Sequence, residues 1–123
     1  MKIFNVIATA ALLATASLQA QAGALQEILS TGVLKVGTTG DWNPMTMKDP
    51  ETNTYSGYDI DVMTALAADL EVEVEFVPTE WKTLVAGVTA GKYHMTGSAS
   101  ISPGRAKATG YSDSYFSLAT VPV

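Results

Sequence analysis

Arg105, Ser98 and Ser100 are the residues whose types and spacing best suit the recognition of a carboxylate. A guanidinium group stays charged and offers two parallel N–H donors that match a carboxylate. Arg105 falls in the first turn of a short predicted helix, where backbone N–H groups are free and the helix dipole is positive. Ser98 and Ser100 leave a predicted strand at alternate positions, so their hydroxyls can point the same way. The alternatives are a solvated arginine and ordinary turn chemistry for the two serines.

Two tryptophans are candidates for packing against the rest of such a ligand. Trp42 lies in the polar segment Asp-Trp-Asn-Pro and has no apolar stripe to join, which favours binding. Trp81 lies on a stripe at helical spacing with Leu84, Val85 and Val88, so packing in the core is its alternative.

Several other chemistries lack the residues that they need. The chain has no cysteine, which excludes disulfides, thiolate zinc sites and cysteine nucleophiles, and His94 is its one histidine. Residues 37–40 lack the lysine and spacing of a phosphate-binding loop, and residues 97–100 lack the second glycine of a nucleophile elbow. Asp59 and Asp61 suit helix-start charges better than a catalytic carboxylate pair. We therefore expect no metal and no other cofactor.

The composition is that of a globular, acidic protein. Of 123 residues, 47% are hydrophobic and 15% charged, and the formal net charge is −5. The few lysines and arginines are scattered, whereas binding of nucleic acid needs them clustered. We expect no nucleic-acid partner.

The first 22 residues have the three-part pattern of a secretory signal peptide. Lys2 precedes an uncharged apolar stretch over 3–18, and Ala20 and Ala22 then form an A-x-A cleavage pattern. The alternative is a membrane anchor, but the apolar run is shorter than the roughly 20 residues that span a bilayer. Since no cysteine is available for a lipid anchor, we expect cleavage after Ala20 or Ala22 and a periplasmic product.

Beyond residue 22, hydrophobic periodicity predicts alternating helices and strands. A buried strand is predicted over the apolar run 33–37, and further strands over 72–77 and 93–98. Helices are predicted over 24–31, 59–70, 79–90 and 103–109. The helix over 59–70 has an apolar stripe at positions 62, 63, 66, 67 and 70. Asp59, Thr79 and Ser102 are the expected N-caps of the last three helices, and Pro103 suits a first helical position. Residues 38–54 are predicted to be a loop and residues 111–123 to be extended.

This order predicts an α/β fold with a mostly parallel sheet flanked by helices. The strand 72–77 alternates Glu with apolar residues and therefore suits the edge of the sheet. In parallel sheets, ligands bind where the carboxyl ends of the strands meet. The loops 38–44, 78–81 and 97–102, which carry the candidate residues, follow those ends.

At these loops the sequence resembles the family 3 bacterial solute-binding proteins, the periplasmic receptors of polar-amino-acid ABC transporters. The segments that carry the resemblance occur in the family's order: VLKVGTTGDWNPM, GYDIDVMTALAADL, FVPTEWKTLVAGVTAGKY and SASISPGRAKATGYSDSYF. The resemblance implies a type II periplasmic-binding-protein-like fold, with residues 23–123 as an incomplete N-terminal lobe. It also implies that residues 23–123 alone would fold and bind poorly.

The resemblance also implies roles for individual residues. Ser98, Ser100 and Arg105 match the stretch that holds the α-carboxylate of the ligand, and His94 replaces the family's usual aspartate. Thr39 falls where receptors for basic amino acids carry an acidic residue, so a neutral ligand is expected. The ligand contacts implied are Thr39, Trp42, Trp81, Ser98, Ser100 and Arg105.

Three functions remain open at this point. The first is a receptor that is monomeric at full length, closes on a small amino-acid-like solute and docks on an ABC permease in the inner membrane. The opening VGTTGDWNP is also similar to cyclohexadienyl dehydratases, enzymes on the same fold that remove water and carbon dioxide from prephenate or arogenate. Their catalytic acid lies in the second lobe. The third is a sensory domain, which would need a transmembrane helix further along the chain.

Overall fold

The computed structural model describes residues 23–119. The predicted signal peptide, at 1–22, lies outside the described residues, as do residues 120–123. None of the helices described is long and apolar enough to cross a membrane.

A three-stranded parallel sheet forms the centre of the fold. Its strands are β1 (Val33–Thr38), β5 (Glu73–Pro78) and β6 (Met95–Thr96), in the order β5-β1-β6. β1 pairs with β5 along its whole length and with β6 at Val36 and Gly37. The predicted buried strand at 33–37 is confirmed, and the Glu-alternating strand lies at an edge of the described sheet. The predicted third strand is shorter than expected, because only two of its residues pair.

One face of β1 packs against two helices, α1 (Gly23–Thr31) and α2 (Tyr58–Asp69). Side chains at alternate positions of a strand share a face, and Leu34 and Val36 are both buried there. The core cluster on this side consists of Ile28, Leu34, Val36, Met63 and Ala67, with Val62, Leu66 and Leu70 packed against it. The apolar stripe predicted for α2 is therefore confirmed.

The opposite face of β1 packs through Gly37 against Tyr93 and helix α3 (Leu84–Thr89). Tyr93 is buried, and its hydroxyl donates to the Leu84 carbonyl at 2.6 Å. Its ring lies between the glycines Gly37 and Gly87, where a Cβ on either one would come within 2.5 Å of the Tyr93 side chain. The two glycines thus let the helix approach the sheet with the tyrosine between them.

The predicted loop at 38–54 is wrong in part, because it contains two strands of a small antiparallel sheet whose third strand follows directly. Its strands are β2 (Asp41–Trp42), β3 (Thr46–Lys48) and β4 (Tyr55–Ser56), in the order β2-β3-β4. The carboxylate of Asp49 accepts bonds from the N–H groups of Glu51 and Thr52 and so closes the turn between β3 and β4. Strands of two or three residues are too short to show a hydrophobic period, which is why the sequence pattern missed them.

The helix starts differ from the predicted caps in two of three cases. α2 begins with Gly57 at the N-cap, so Asp59 lies inside the first turn. Glu80, and not Thr79, precedes a 3₁₀ turn at Trp81–Thr83 that leads into α3. The third prediction is confirmed: Ser102 caps α4 (Pro103–Ala108) by accepting from the N–H of Arg105 at 3.3 Å.

The last described segment, 110–119, contains no regular strand or helix. The segment 111–123, which is predicted to be extended, thus forms neither helix nor strand over its described part, 111–119. Tyr115 and Phe116 of this segment pack on Tyr58 of α2, with ring centroids 6.3 and 5.1 Å from that of Tyr58.

Because the Tyr93 ring is confined on both sides, we expect Gly87→Ala to lower the free energy of unfolding by about 1–3 kcal/mol, the usual cost of overpacking. Gly104→Ala in α4 is the matched control, since no atom lies within 4 Å of its added Cβ. Alanine favours a helix over glycine, so the control should be neutral or stabilising by up to about 1 kcal/mol. Urea unfolding of both variants measures the difference, and equal effects would contradict the packing described.

Candidate ligand-binding site

The three parallel strands end at one edge of the sheet, and the predicted loops meet there. β1 ends at Thr38, β5 at Pro78 and β6 at Thr96. A small cleft at this edge is lined by four of the six predicted site residues, Thr39, Trp42, Trp81 and Ser98. Trp42 and Ser98 also line an adjoining cavity of about 460 Å³, to which Ser100 and residues 109–118 contribute. That volume lies within the range of cavities that hold small molecules.

Trp42 and Trp81, which line the cleft, form a cluster with Arg105, which we call the aromatic–arginine cluster. Arg105 itself lines neither the cleft nor the adjoining cavity and reaches the site over the Trp81 ring. The two indole rings meet edge to face, with centroids 5.9 Å apart and planes at 76°. The guanidinium carbon of Arg105 lies 5.0 Å from the centre of the Trp81 ring, within cation–π distance. Trp81 is 46% exposed, so the alternative of core packing is wrong for this residue.

Arg105 is oriented by the loop that precedes its helix. Its Nη1 donates to the Ser100 carbonyl at 3.0 Å, and its backbone N–H donates to the Ser102 hydroxyl. Within residues 23–119, no carboxylate forms an ion pair with it. Arg105 is half-buried as a residue, and its guanidinium lies over an aromatic ring with its bond to Ser100 exposed to solvent, so its charge is available to an anion.

Ser98 and Ser100 lie in the loop after β6, although not in the predicted strand geometry. Ser98 has a left-handed backbone with φ 52°, so the two side chains do not follow the alternation of a strand. The N–H of Ser98 donates to the Tyr115 hydroxyl at 3.2 Å. The Ser100 carbonyl accepts from Arg105 and from the Tyr111 hydroxyl, the latter at 3.3 Å.

Asp59 and Tyr115 are two residues of the site whose part the sequence did not reveal. Asp59 is 5% exposed and lines the cleft, and its Oδ1 accepts from the Tyr115 hydroxyl at 3.1 Å. Asp59 does lie in the first turn of α2, as a helix-start charge would. For Tyr115, one available signal was its place in the polar segment SDSYFS, the same criterion that singled out Trp42.

Burial raises the pKa of the Tyr115 phenol above its ordinary value, and the charge of the neighbouring Asp59 acts in the same direction. A raised pKa means that folding favours the protonated phenol. Its contribution to stability is therefore present below the ordinary pKa and is lost as the pH rises through the raised value.

Comparison with known proteins gives concordant results. The model of the bacterial extracellular solute-binding proteins, family 3, matches residues 34–123. The chain is 43% identical over 83 residues to a cyclohexadienyl dehydratase of Pseudomonas aeruginosa, covering 68% of this chain and 31% of that protein. It is 32% identical over 96 residues to the L-cystine-binding protein of Bacillus subtilis, and this match covers 78% of this chain and 36% of that protein. The chain thus spans about a third of the length of these relatives.

A solved structure gives the same fold. Domain 1 of an arginine-binding protein of T. maritima, in its arginine-bound form, superposes with a TM-score of 0.67 at 32% identity. The match covers 73% of this chain and 71% of that domain. The fold is therefore that of the N-terminal lobe of a type II periplasmic binding protein, and the chain belongs to the bacterial extracellular solute-binding proteins of family 3.

Proposed function

We propose that this chain is the N-terminal lobe of an exported receptor that binds a small amino-acid-like solute for an ABC transporter. The observation that carries the proposal is the aromatic–arginine cluster, which places a guanidinium and two indole rings beside the 98–100 loop. In this proposal residues 1–22 are a cleaved signal peptide, and a second lobe closes over the cleft in the periplasm. The full-length receptor is a monomer that docks on an inner-membrane permease.

In the proposed complex, Arg105 holds the ligand carboxylate. A guanidinium binds a carboxylate through two parallel N–H donors, and the hydroxyls of Ser98 and Ser100 supply further donors. The apolar part of the ligand lies against Trp42 and Trp81, because indole faces contribute a large contact area at little cost in side-chain entropy. Closure of the second lobe removes water from these contacts and strengthens them.

We infer that the ligand side chain is neutral. Thr39 lines the cleft and carries no charge, so it offers no partner to an ammonium or guanidinium group. Asp59 is the buried carboxylate of the cleft, and one of its oxygens is already used by Tyr115. The main competing outcome is a preference for a cationic side chain, because the relative from T. maritima was solved with arginine bound.

A thermal-shift screen of the full-length protein against the common L-amino acids tests this preference. We expect the largest rise in melting temperature from amino acids with neutral, apolar or aromatic side chains. L-arginine and L-lysine should give smaller shifts, because their side-chain charge would be buried without a partner. The strongest stabilisation by either cationic amino acid would show that the inference from Thr39 is wrong.

For the carboxylate anchor, we expect Arg105→Ala to lower affinity for the best neutral amino acid by about 2–5 kcal/mol, the usual cost of removing one partner from a buried charge pair. Arg105→Lys keeps the charge but loses the planar fork, so it should also bind weakly. Lys107→Ala is the matched control on the same helix, because Lys107 is exposed, whereas Arg105 lies over the Trp81 ring. Calorimetry that finds both Arg105 variants within twofold of the wild type would refute the assignment.

The second candidate function is a dehydratase, which the 43% identity to the P. aeruginosa enzyme favours. Expulsion of water from prephenate or arogenate needs a positioned proton donor. The buried carboxylate of this lobe accepts a bond from Tyr115, and the resemblance assigns the catalytic acid to the other lobe. The lobe described here is therefore compatible with either a receptor or an enzyme.

We expect the full-length protein to convert neither prephenate nor arogenate. Incubation with prephenate followed by absorbance detection of phenylpyruvate, and with arogenate followed by amino-acid analysis for phenylalanine, measures this directly. A family dehydratase assayed in parallel is the positive control. Formation of either product at an enzymatic rate would replace the receptor with the enzyme as the function of this chain.

A further inference from the structure

We propose that Tyr115 is a positioning residue of this site, whose phenol joins the buried Asp59 carboxylate to the Ser98 N–H and so fixes the 98–100 loop. The inference rests on the proposed function, since the loop is the one assigned to the ligand carboxylate. Tyr115 itself acts through Ser98 and need not touch the ligand.

The bonds around the phenol form a directed chain of three groups. The Ser98 N–H donates to the Tyr115 oxygen at 3.2 Å, and the Tyr115 O–H donates to Asp59 Oδ1 at 3.1 Å. A phenol has a single hydrogen, and the carboxylate cannot donate when ionised, so these directions are the ones available. The carboxylate polarises the phenol oxygen and makes it a better acceptor for the Ser98 N–H.

Ser98 needs such a restraint because of its backbone. Its φ of 52° lies in the left-handed region, which residues with a Cβ rarely adopt. A residue in this region persists when surrounding contacts hold it there. The bond to Tyr115 is a contact of this kind, and it acts on the N–H of the strained residue itself.

Asp59 is the fixed end of this chain of hydrogen bonds. It lies in the first turn of α2, with 5% of its surface exposed, and its N–H donates to the Met45 carbonyl at 2.9 Å. A Cβ on Gly97 would come within 2.8 Å of the Asp59 Cγ, so the carboxylate packs directly against the residue that precedes Ser98. Movement of the phenol relative to α2 would therefore be transmitted to the loop.

Tyr115→Phe isolates the hydroxyl from the ring. The Tyr115 ring stacks on Tyr58 with planes at 23°, a contact that phenylalanine keeps. Tyr93→Phe is the matched control for the loop: it also removes a phenol hydroxyl, on the other side of β1 from α2. That hydroxyl donates to Leu84 at 2.6 Å and also reaches Thr83 and Thr79, at 3.3 and 3.4 Å, and has no bond to residues 97–100. Both variants should lower the melting temperature, but only the first should change the loop.

The test combines two measurements on the full-length protein. Amide NMR spectra follow Ser98, Ala99 and Ser100, and calorimetry measures binding of L-phenylalanine, L-glutamine and L-arginine. For Tyr115→Phe we expect displaced amide resonances for all three loop residues and at least tenfold weaker binding of whichever probe the wild type binds. For Tyr93→Phe we expect wild-type resonances for the same three residues, because the Tyr93 hydroxyl bonds to Thr79, Thr83 and Leu84 and not to the loop. If Tyr115→Phe does not fold, Asp59→Asn, which keeps the shape but removes the charge, takes its place.

The outcomes separate this inference from the proposed function. Loop resonances unchanged in Tyr115→Phe, or displaced resonances with affinity within twofold of the wild type, would overturn the positioning role. If the wild type binds L-arginine alone, the neutral preference fails, and the resonances together with the affinity for L-arginine still decide whether Tyr115 sets the loop. If the wild type binds none of the three probes, the resonances alone decide it. An equal displacement of the loop resonances in Tyr93→Phe would show that general loss of stability, and not the bond from Tyr115 to Ser98, moves the loop.

Discussion

β1 is the central strand of the described sheet, and its parallel pairing on both sides fixes where the site can form. Its register with β5 runs from Val33 to Thr38, and β6 joins beside Val36 and Gly37. Parallel strands in register end at the same edge, so the residues that follow each strand come together there. The burial of Leu34 and Val36 against α1 and α2 holds this register, because a shift of one residue would expose both side chains.

The sequence was most informative where a segment is long and periodic or carries an explicit cap. The apolar run of β1, the stripe of α2 and the Ser102–Pro103 helix start are local signals, and each was predicted from its own residues. The antiparallel strands β2 to β4 were missed because each has too few residues to show a period. The hydrogen bond that makes Asp59 a residue of the site was missed because its partner, Tyr115, is 56 residues away in the sequence. A single sequence does not reveal contacts at that separation.

The candidate site keeps its two kinds of charge apart. The Asp59 carboxylate is buried beneath Gly97 and compensated by hydrogen bonding to a phenol, whereas the Arg105 guanidinium lies over the Trp81 ring. If the Asp59 carboxylate paired directly with the Arg105 guanidinium, the cleft would have no free positive charge to attract an anion. Hydrogen bonding to Tyr115 lets the carboxylate support the loop, while the guanidinium remains available. The pattern favours one positive group as the electrostatic centre of the cleft.

Trp42 and Trp81 are the only two tryptophans of the chain, and they lie 5.9 Å apart at the same cleft. The tryptophan fluorescence of this lobe therefore comes from a single pair of neighbouring side chains. The positive charge of Arg105, 5.0 Å from the Trp81 ring, influences the wavelength and the intensity of that emission. Entry of a solute that displaces water or draws the guanidinium away would alter that emission. Under the proposed function, tryptophan fluorescence would therefore report occupancy of the cleft without an attached dye.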